Sequence, residues 1–194
     1  MRDQPSSGRE DAELVRAAQS GDRTAFGELY ARYARMVHGI FLARVPVSAA
    51  EDLVQDVFLH AMPRLPSLRD ASRFGGWLAA IARNRAVDFY RQHRPSEEFN
   101  DDEVETNTGV SAQAHSADNE GAQILEAIRS LPESYRETLI LRLVEGMTGP
   151  EIAARTGLTH GSVRVNLHRG MQQLRERLGP NASAAQQVRG SKEL

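Results

Sequence analysis

Apolar residues recur three and four positions apart along most of this chain, and the alternation expected of strands is nearly absent. That pattern predicts an all-α protein. Asp11 to Ser20 reads as a short helix that stops at Gly21, and Asp22 has the side chain to cap the next one. The second helix carries Phe26, Leu29, Tyr30, Tyr33, Val37, Ile40 and Phe41 as one apolar stripe. Ser48-Ala-Ala-Glu51 has the form of a capping box, so a third helix runs from about Ala49 to Met62, where Pro63 ends it. Its inward stripe is Val54, Val57, Phe58 and Ala61. Pro63 to Ser72 reads as a loop. A fourth helix spans about Phe74 to His93, with Phe74, Leu78, Ile81, Ala82 and Phe89 facing inward.

The periodicity then lapses. Pro95 to about Asn119 is rich in Asp, Glu, Asn, Ser and Thr, with one aromatic, Phe99. Such a segment cannot bury enough apolar surface to offset its ordering entropy. Helical pattern resumes near Ala122 with Ile124, Leu125 and Ile128. Pro132 opens a helix carrying Tyr135, Leu139, Ile140 and Leu143, which Gly146 closes. A short helix from Pro150 to Thr156, a turn at Gly157 and a last helix from His160 to Leu178 follow, stopped by Gly179-Pro180. The expected layout is two small helical domains, 11–94 and 122–179, joined by an acidic flexible linker, 95–121, with a disordered N-terminus, 1–10, and tail, 180–194.

Composition narrows the chemistry. The 194 residues suffice for two small domains, and 40% apolar content with a mean hydropathy of −0.48 leaves room for disordered sequence. With no cysteine there is no disulfide framework and no thiolate metal site. The six histidines form no metal-ligand spacing, so no metal or cofactor is expected. No paired nucleophile and base and no phosphate loop stand out, which argues against an enzyme. Met1 to Asp11 is polar, and no apolar run approaches the roughly 18 residues needed to span a bilayer, so a cytoplasmic protein without membrane insertion is expected.

The net charge of −2 conceals strong segregation. Arg64 to Arg94 holds seven Arg against two Asp, Pro95 to Gly121 holds eight acids and no Lys or Arg, and Arg155 to Leu178 holds five Arg against one Glu. Two basic segments flank an acidic one, and local charge governs phosphate affinity. Arg suits bidentate phosphate and guanine contacts.

The segment from Thr148 to Arg169 reads as a helix-turn-helix. Ile152 and Ala153 face the core, Ala153 being small where two helices cross, and Gly157 permits the positive φ of the tight turn. Leu158 plugs the corner and Thr159 caps the second helix. Val163, Leu167, Met171, Leu174 and Leu178 form its buried stripe. The opposite face carries Gly161, Ser162, Val165, His168 and Arg169, flanked by Arg164 and Asn166, and such a helix can lie in the major groove and read base edges.

Two faces stand out in the first half. On the third helix Asp52, Gln55, Asp56 and Leu59 share an outward side that suits docking to a protein. On the fourth, Asn84, Asp88 and Arg91 line a polar side with Arg83 and Arg94 near, and the preceding loop adds Arg64, Arg69 and Arg73. Trp77 and Tyr90 are open to two readings, as core residues or as platforms for stacked bases.

Taken together, the motifs resemble the extracytoplasmic-function (ECF) sigma factors of the sigma-70 family. Gly21-Asp-Arg-Thr-Ala-Phe-Gly-Glu-Leu-Tyr-Ala-Arg-Tyr33 is similar to the start of region 2, Ala50-Glu-Asp-Leu-Val-Gln-Asp-Val-Phe58 to its polymerase-docking helix, and Phe74 to Phe89 to its −10-reading helix. Leu131-Pro-Glu-Ser-Tyr-Arg-Glu137 and Glu151 to Arg169 resemble region 4. The resemblance covers roughly residues 12–94 and 122–178. It implies a factor that directs core RNA polymerase to specific bacterial promoters and helps open them. Asp52, Gln55, Asp56 and Leu59 would contact the clamp helices of the largest polymerase subunit, and the second-largest subunit is a further expected contact. Arg69, Arg83, Asn84, Asp88 and Arg91, with the Pro63–Ser72 loop, would read the −10 element of promoter DNA. Thr159, Ser162, Arg164, Val165, Asn166 and Arg169 would read the −35 element. The acidic linker would thread a basic polymerase channel; fully extended, its 25 residues from Pro95 to Asn119 reach roughly 80 Å. An anti-sigma factor is a further partner that the resemblance suggests. Arg164-Val165-Asn166 departs from the Lys-Ser-Arg common in the family, which bears on base preference rather than on DNA binding.

The main rival is an autonomous helix-turn-helix regulator that binds operators without polymerase. It leaves the first 94 residues without a task and usually needs a dimer interface. An all-helical enzyme and an adaptor acting only through proteins are further alternatives.

Overall fold

The computed structural model describes residues 6–93 and 116–178, and all regular structure among them is helical. The linker and tail expected from the sequence lie outside the described residues, apart from the linker's last few positions. Helix α1, Ser6–Gln19, begins five residues before the sequence pattern starts it. The turn at Gly21 follows, with φ +97. Helix α2, Arg23–Leu42, is capped by Asp22, whose carboxylate accepts from the amides of Thr24 and Ala25. Its stripe is buried at Leu29, Tyr33, Val37, Ile40 and Phe41; Met36 is fully buried as well, while Tyr30 is partly exposed and lies 4.6 Å from the Phe58 ring.

Helix α3, Val47–Ala61, corrects one expectation. Pro46, not Ser48, stands at its N-cap, and no side chain caps it, so the Ser48–Glu51 capping box does not form. The Pro46 carbonyl starts the ladder by accepting from Ala49, which puts Ser48 inside the first turn. Proline brings a preset φ and no amide needing a partner, so the helix begins without side-chain help. The expected loop is wound into two 3-10 turns, Met62–Ser67 and Ala71–Arg73. Leu65 is buried beneath it, and the Gln19 amide donates to the carbonyls of Leu65 and Leu68 at 3.0 and 2.8 Å. Helix α4, Phe74–His93, buries Phe74, Leu78, Ala79, Ala82 and Ala86; Ile81 and Phe89 are only half-buried.

In the second half, α5 is Ser116–Arg129, α6 is Glu133–Leu143, α7 is Gly149–Thr156 and α8 is His160–Leu178. A capping box does form here: the Thr148 hydroxyl accepts from the Glu151 amide, and the Glu151 carboxylate accepts from the Thr148 amide at 2.8 Å. Gly157 ends α7 with φ +76, a conformation that a side chain would strain, and Thr159 accepts from the Ser162 amide at the start of α8. Helix α8 buries Val163, Gly170 and Leu174, with Leu167, Met171 and Leu178 half-buried.

Helices α1 to α4 pack around α2, and α5, α6 and α7 pack with α8. The two halves also meet: α6 and α7 lie against α2, and α7 against the start of α4. Their buried residues form one continuous cluster. Helix α6 is consequently buried nearly all round, at Glu137, Thr138, Leu139, Ile140 and Leu141, where the sequence pattern shows a single stripe. Among the described residues no helix is long and apolar enough to cross a membrane.

Candidate polymerase and promoter interface

The candidate docking face on α3 is exposed. Leu53, Val54, Val57 and Phe58 are buried toward α2 and α4, which turns Asp52, Gln55, Asp56 and Leu59 to solvent. Leu59 is 71% exposed, a large apolar side chain left without cover on the face that carries Asp56 one turn back and Asp52 two turns back. Asp56 is not isolated: Arg85, from α4, donates to it at 3.0 Å.

The candidates for the −10 element are spread over α4 and the turns before it. Arg69, Asn84 and Arg91 are exposed, and Asp88 is half-buried with Arg91 3.6 Å away. The Asp70 carboxylate, bonded by the hydroxyl and amide of Ser72, is held below its ordinary range by those bonds and by Arg73. Trp77 is half-buried, packed against the core with its ring 5.9 Å from that of Phe74. Tyr90 is 48% exposed, but its hydroxyl donates to the Arg44 carbonyl and fixes the ring's direction. Arg83 does not face solvent freely. It donates twice to Glu137 of α6, at 3.1 and 2.7 Å.

On α8, Ser162, Arg164, Val165 and Arg169 are exposed, while the Thr159 hydroxyl is tied to the cap. Val165 is 43% exposed, an apolar side chain among polar neighbours on the face turned from the core. Asn166 is half-buried, and its amide points back to Thr138 at 3.4 Å.

Sequence reasoning missed a set of ionic contacts between the halves. Glu137 is 5% exposed and takes Arg83 from one side and Arg44 from another, the latter at 2.7 Å. Burial pushes its carboxyl up, but Arg83 and then Arg44 more than reverse this and hold it below the usual carboxylate range. Arg83 is raised by the same bond. Glu145, also buried, lies 2.7 Å from His38 and 3.6 Å from Arg35. Arg129 and Arg136 donate to the carbonyls of Leu42, Val45 and Ala43 at the end of α2, and Arg155 donates to the Arg32 carbonyl.

The described residues hold no cluster of His, Asp and Glu fit for a metal ion. The surface carries an exposed acidic and apolar face on α3, a basic helix and a helix-turn-helix, and the comparisons with known proteins identify the family. The sigma-70 region 2 model matches residues 29–95, and the sigma-70 region 4 model matches residues 121–174. The chain is 37% identical over 164 residues to the RNA polymerase sigma factor CarQ of Myxococcus xanthus, covering 83% of this chain and 93% of that one. It is an ECF sigma factor of the sigma-70 family. The ECF sigma-E factor of Escherichia coli K12 is 30% identical over 181 residues, which cover 88% of this chain and 95% of that one. The solved structure of CnrH in complex with the cytosolic domain of CnrY matches with a TM-score of 0.60 at 29% identity, over 87% of this chain and 97% of that one. As a sigma factor, the protein serves transcription initiation with RNA polymerase at promoter DNA.

Proposed function

We propose that the sigma factor docks on polymerase through the outward face of α3 and reads promoters through α4 and α8. Asp52, Gln55, Asp56 and Leu59 contact the clamp helices of the largest subunit, and the second-largest subunit meets the chain as well. The observation that carries this reading is the uncovered Leu59 on the same outward face as Asp52 and Asp56. A lone exposed apolar side chain is ordinary, but one that shares a helix face with two carboxylates suits a partner with an apolar and basic surface. Arg69, Asn84, Asp88 and Arg91 read the −10 element, joined by Arg83 once it leaves Glu137. Thr159, Ser162, Arg164, Val165, Asn166 and Arg169 serve the −35 element, with Arg164 and Arg169 suited to guanine or phosphate and Val165 to a thymine methyl. The corresponding units are residues 11–94 and 122–179, linked through 95–121, acting in the cytoplasm as a binding subunit rather than a catalyst. A protein that restrains the factor, as an anti-sigma factor would, is a further partner; the similar CnrH is known in complex with the cytosolic domain of CnrY.

The test is transcription in vitro with purified core polymerase on promoter fragments from the source genome. Start-site-specific transcripts are expected from the wild type and none from Asp52→Arg combined with Asp56→Arg. Specific DNA binding without any transcript would instead favour an operator-binding regulator.

A further inference from the structure

The two acids on the outward face of α3 are not alike. Asp52 forms no ion pair among the described residues. Asp56 receives the guanidinium of Arg85 from α4, Nη2 donating to Oδ2 at 3.0 Å. Like charges one helical turn apart repel, so a cation beside the second of them relieves the face. The pair is not sealed from water: Asp56 keeps 49% of its side chain exposed and Arg85 27%. The carboxylate is held from one side and open on the other.

Stability does not account for Arg85. Its Nε is buried and has no hydrogen-bond partner among the described residues. A buried donor left unmet costs more than a half-exposed ion pair returns, because such a pair is screened by water and must hold two side chains in one geometry. For the helix alone, leucine or methionine would serve as well as arginine. Either would also fill the half-buried position between α3 and α4 without a donor to satisfy. What arginine adds, and an apolar residue would not, is a fixed direction for the Asp56 carboxylate.

We propose that Arg85 is a positioning residue for polymerase docking: from α4 it fixes one oxygen of Asp56, so that the carboxylate meets a cation of the polymerase in a single orientation. The inference rests on the docking role proposed above for the α3 face. An aspartate free on a helix surface samples several rotamers, and a partner that binds one of them bears the ordering cost. With Arg85 in place that cost is met when the chain folds. A second cation can share the carboxylate, because its lone pairs exceed what one guanidinium nitrogen uses. The positive charge of Arg85 also weakens the pull of Asp56 on a distant cation. Its benefit therefore lies in the formed contact, which sets dissociation, and not in long-range steering, which sets association. Arg85 itself touches neither polymerase nor DNA in this role.

The test measures association and dissociation of the whole chain with purified core polymerase by surface plasmon resonance, for wild type, Arg85→Met, Asp56→Asn and the double variant. Arg85→Met keeps a stem of similar length and removes the charge. It is expected to weaken binding about fivefold through faster dissociation, with association no slower than wild type because the face has become more acidic. Its melting temperature is expected to stay at or above that of wild type, since the unmet donor is gone. Beside Asp56→Asn the same change is expected to add less than about twofold. A full effect of Arg85→Met in the Asp56→Asn background would overturn the proposal, because Arg85 would then act without Asp56. So would wild-type affinity of Arg85→Met when Asp56→Asn binds weakly, and that result would leave the docking role of α3 intact. Wild-type affinity of Asp56→Asn would instead take Asp56 out of the docking face, and the role of Arg85 with it. Should Arg85→Met lose native helical content by circular dichroism, Arg85→Gln goes through the same cycle and decides.

Discussion

Helices α3 and α6 look alike in sequence and live differently in the structure. Each shows one apolar stripe. Helix α3 buries that stripe and leaves its other side to solvent, up to Leu59 at 71% exposure. Helix α6 buries its stripe against α8 and then meets α2 with its opposite side, where Leu141 lies against Gly39 and Glu137 between Arg44 and Arg83. The difference teaches what an amphipathic pattern reports. It reveals the neighbour a helix has within its own domain and is silent about a second neighbour met through ions and small residues.

Substitutions on the two helices can break that comparison. Leu139 and Leu141 are both fully buried on α6, Leu139 against Gly170 of α8 and Leu141 against α2. Leu139→Ala and Leu141→Ala should each cost about 3 kcal/mol in urea unfolding followed by circular dichroism, in line with cavity-forming changes elsewhere. A negligible cost for Leu141→Ala would mean that α6 has one neighbour, like α3. Acid supplies a smaller effect. Because Glu137 is held below the ordinary glutamate value, its contribution to the contact between the halves is complete above roughly pH 4.3 and is lost as pH falls through the lowered native value. The gap in melting temperature between wild type and Glu137→Gln should therefore stay constant from pH 5 to 8 and close only at more acid pH. A gap between the two that closes already near neutrality would show that the carboxylate is not paired as described. The smallest effect on stability belongs to α3: Leu59→Ala should change it by no more than about 0.5 kcal/mol, since the side chain is uncovered. The same change should weaken binding to core polymerase, read by fluorescence anisotropy, and an unaltered affinity would take Leu59 out of the docking face.

Much of the architecture was legible because its signals are local. Asp22 caps α2, Gly157 turns α7 into α8, and α4 runs from Phe74 to His93 as its periodicity predicts. The cap of α3 was misread because Ser48 and Glu51 have the right spacing, while Pro46 two residues earlier had already fixed the start. The real box, Thr148 with Glu151, went unread because Pro150 drew the boundary inward. The outward faces of α3 and α8 were readable as positions. The partners of Arg83 and Asn166 were not, since they come from residues 54 and 28 positions away in the chain. Nothing in a one-dimensional pattern marks an ion pair formed between two folded units.

The Gln19 amide, gripping two carbonyls of the turns that follow α3, carries a lesson for anyone building chimeras from this chain. The matched family segment begins at residue 29, after α1 has ended. A graft cut there would carry the loop proposed to read the −10 element and discard the strut that shapes it, along with Asp11, which holds Arg32 and Tyr33. Any modular exchange of promoter specificity should therefore take the first helix with the loop, even though that helix touches no DNA in the roles described.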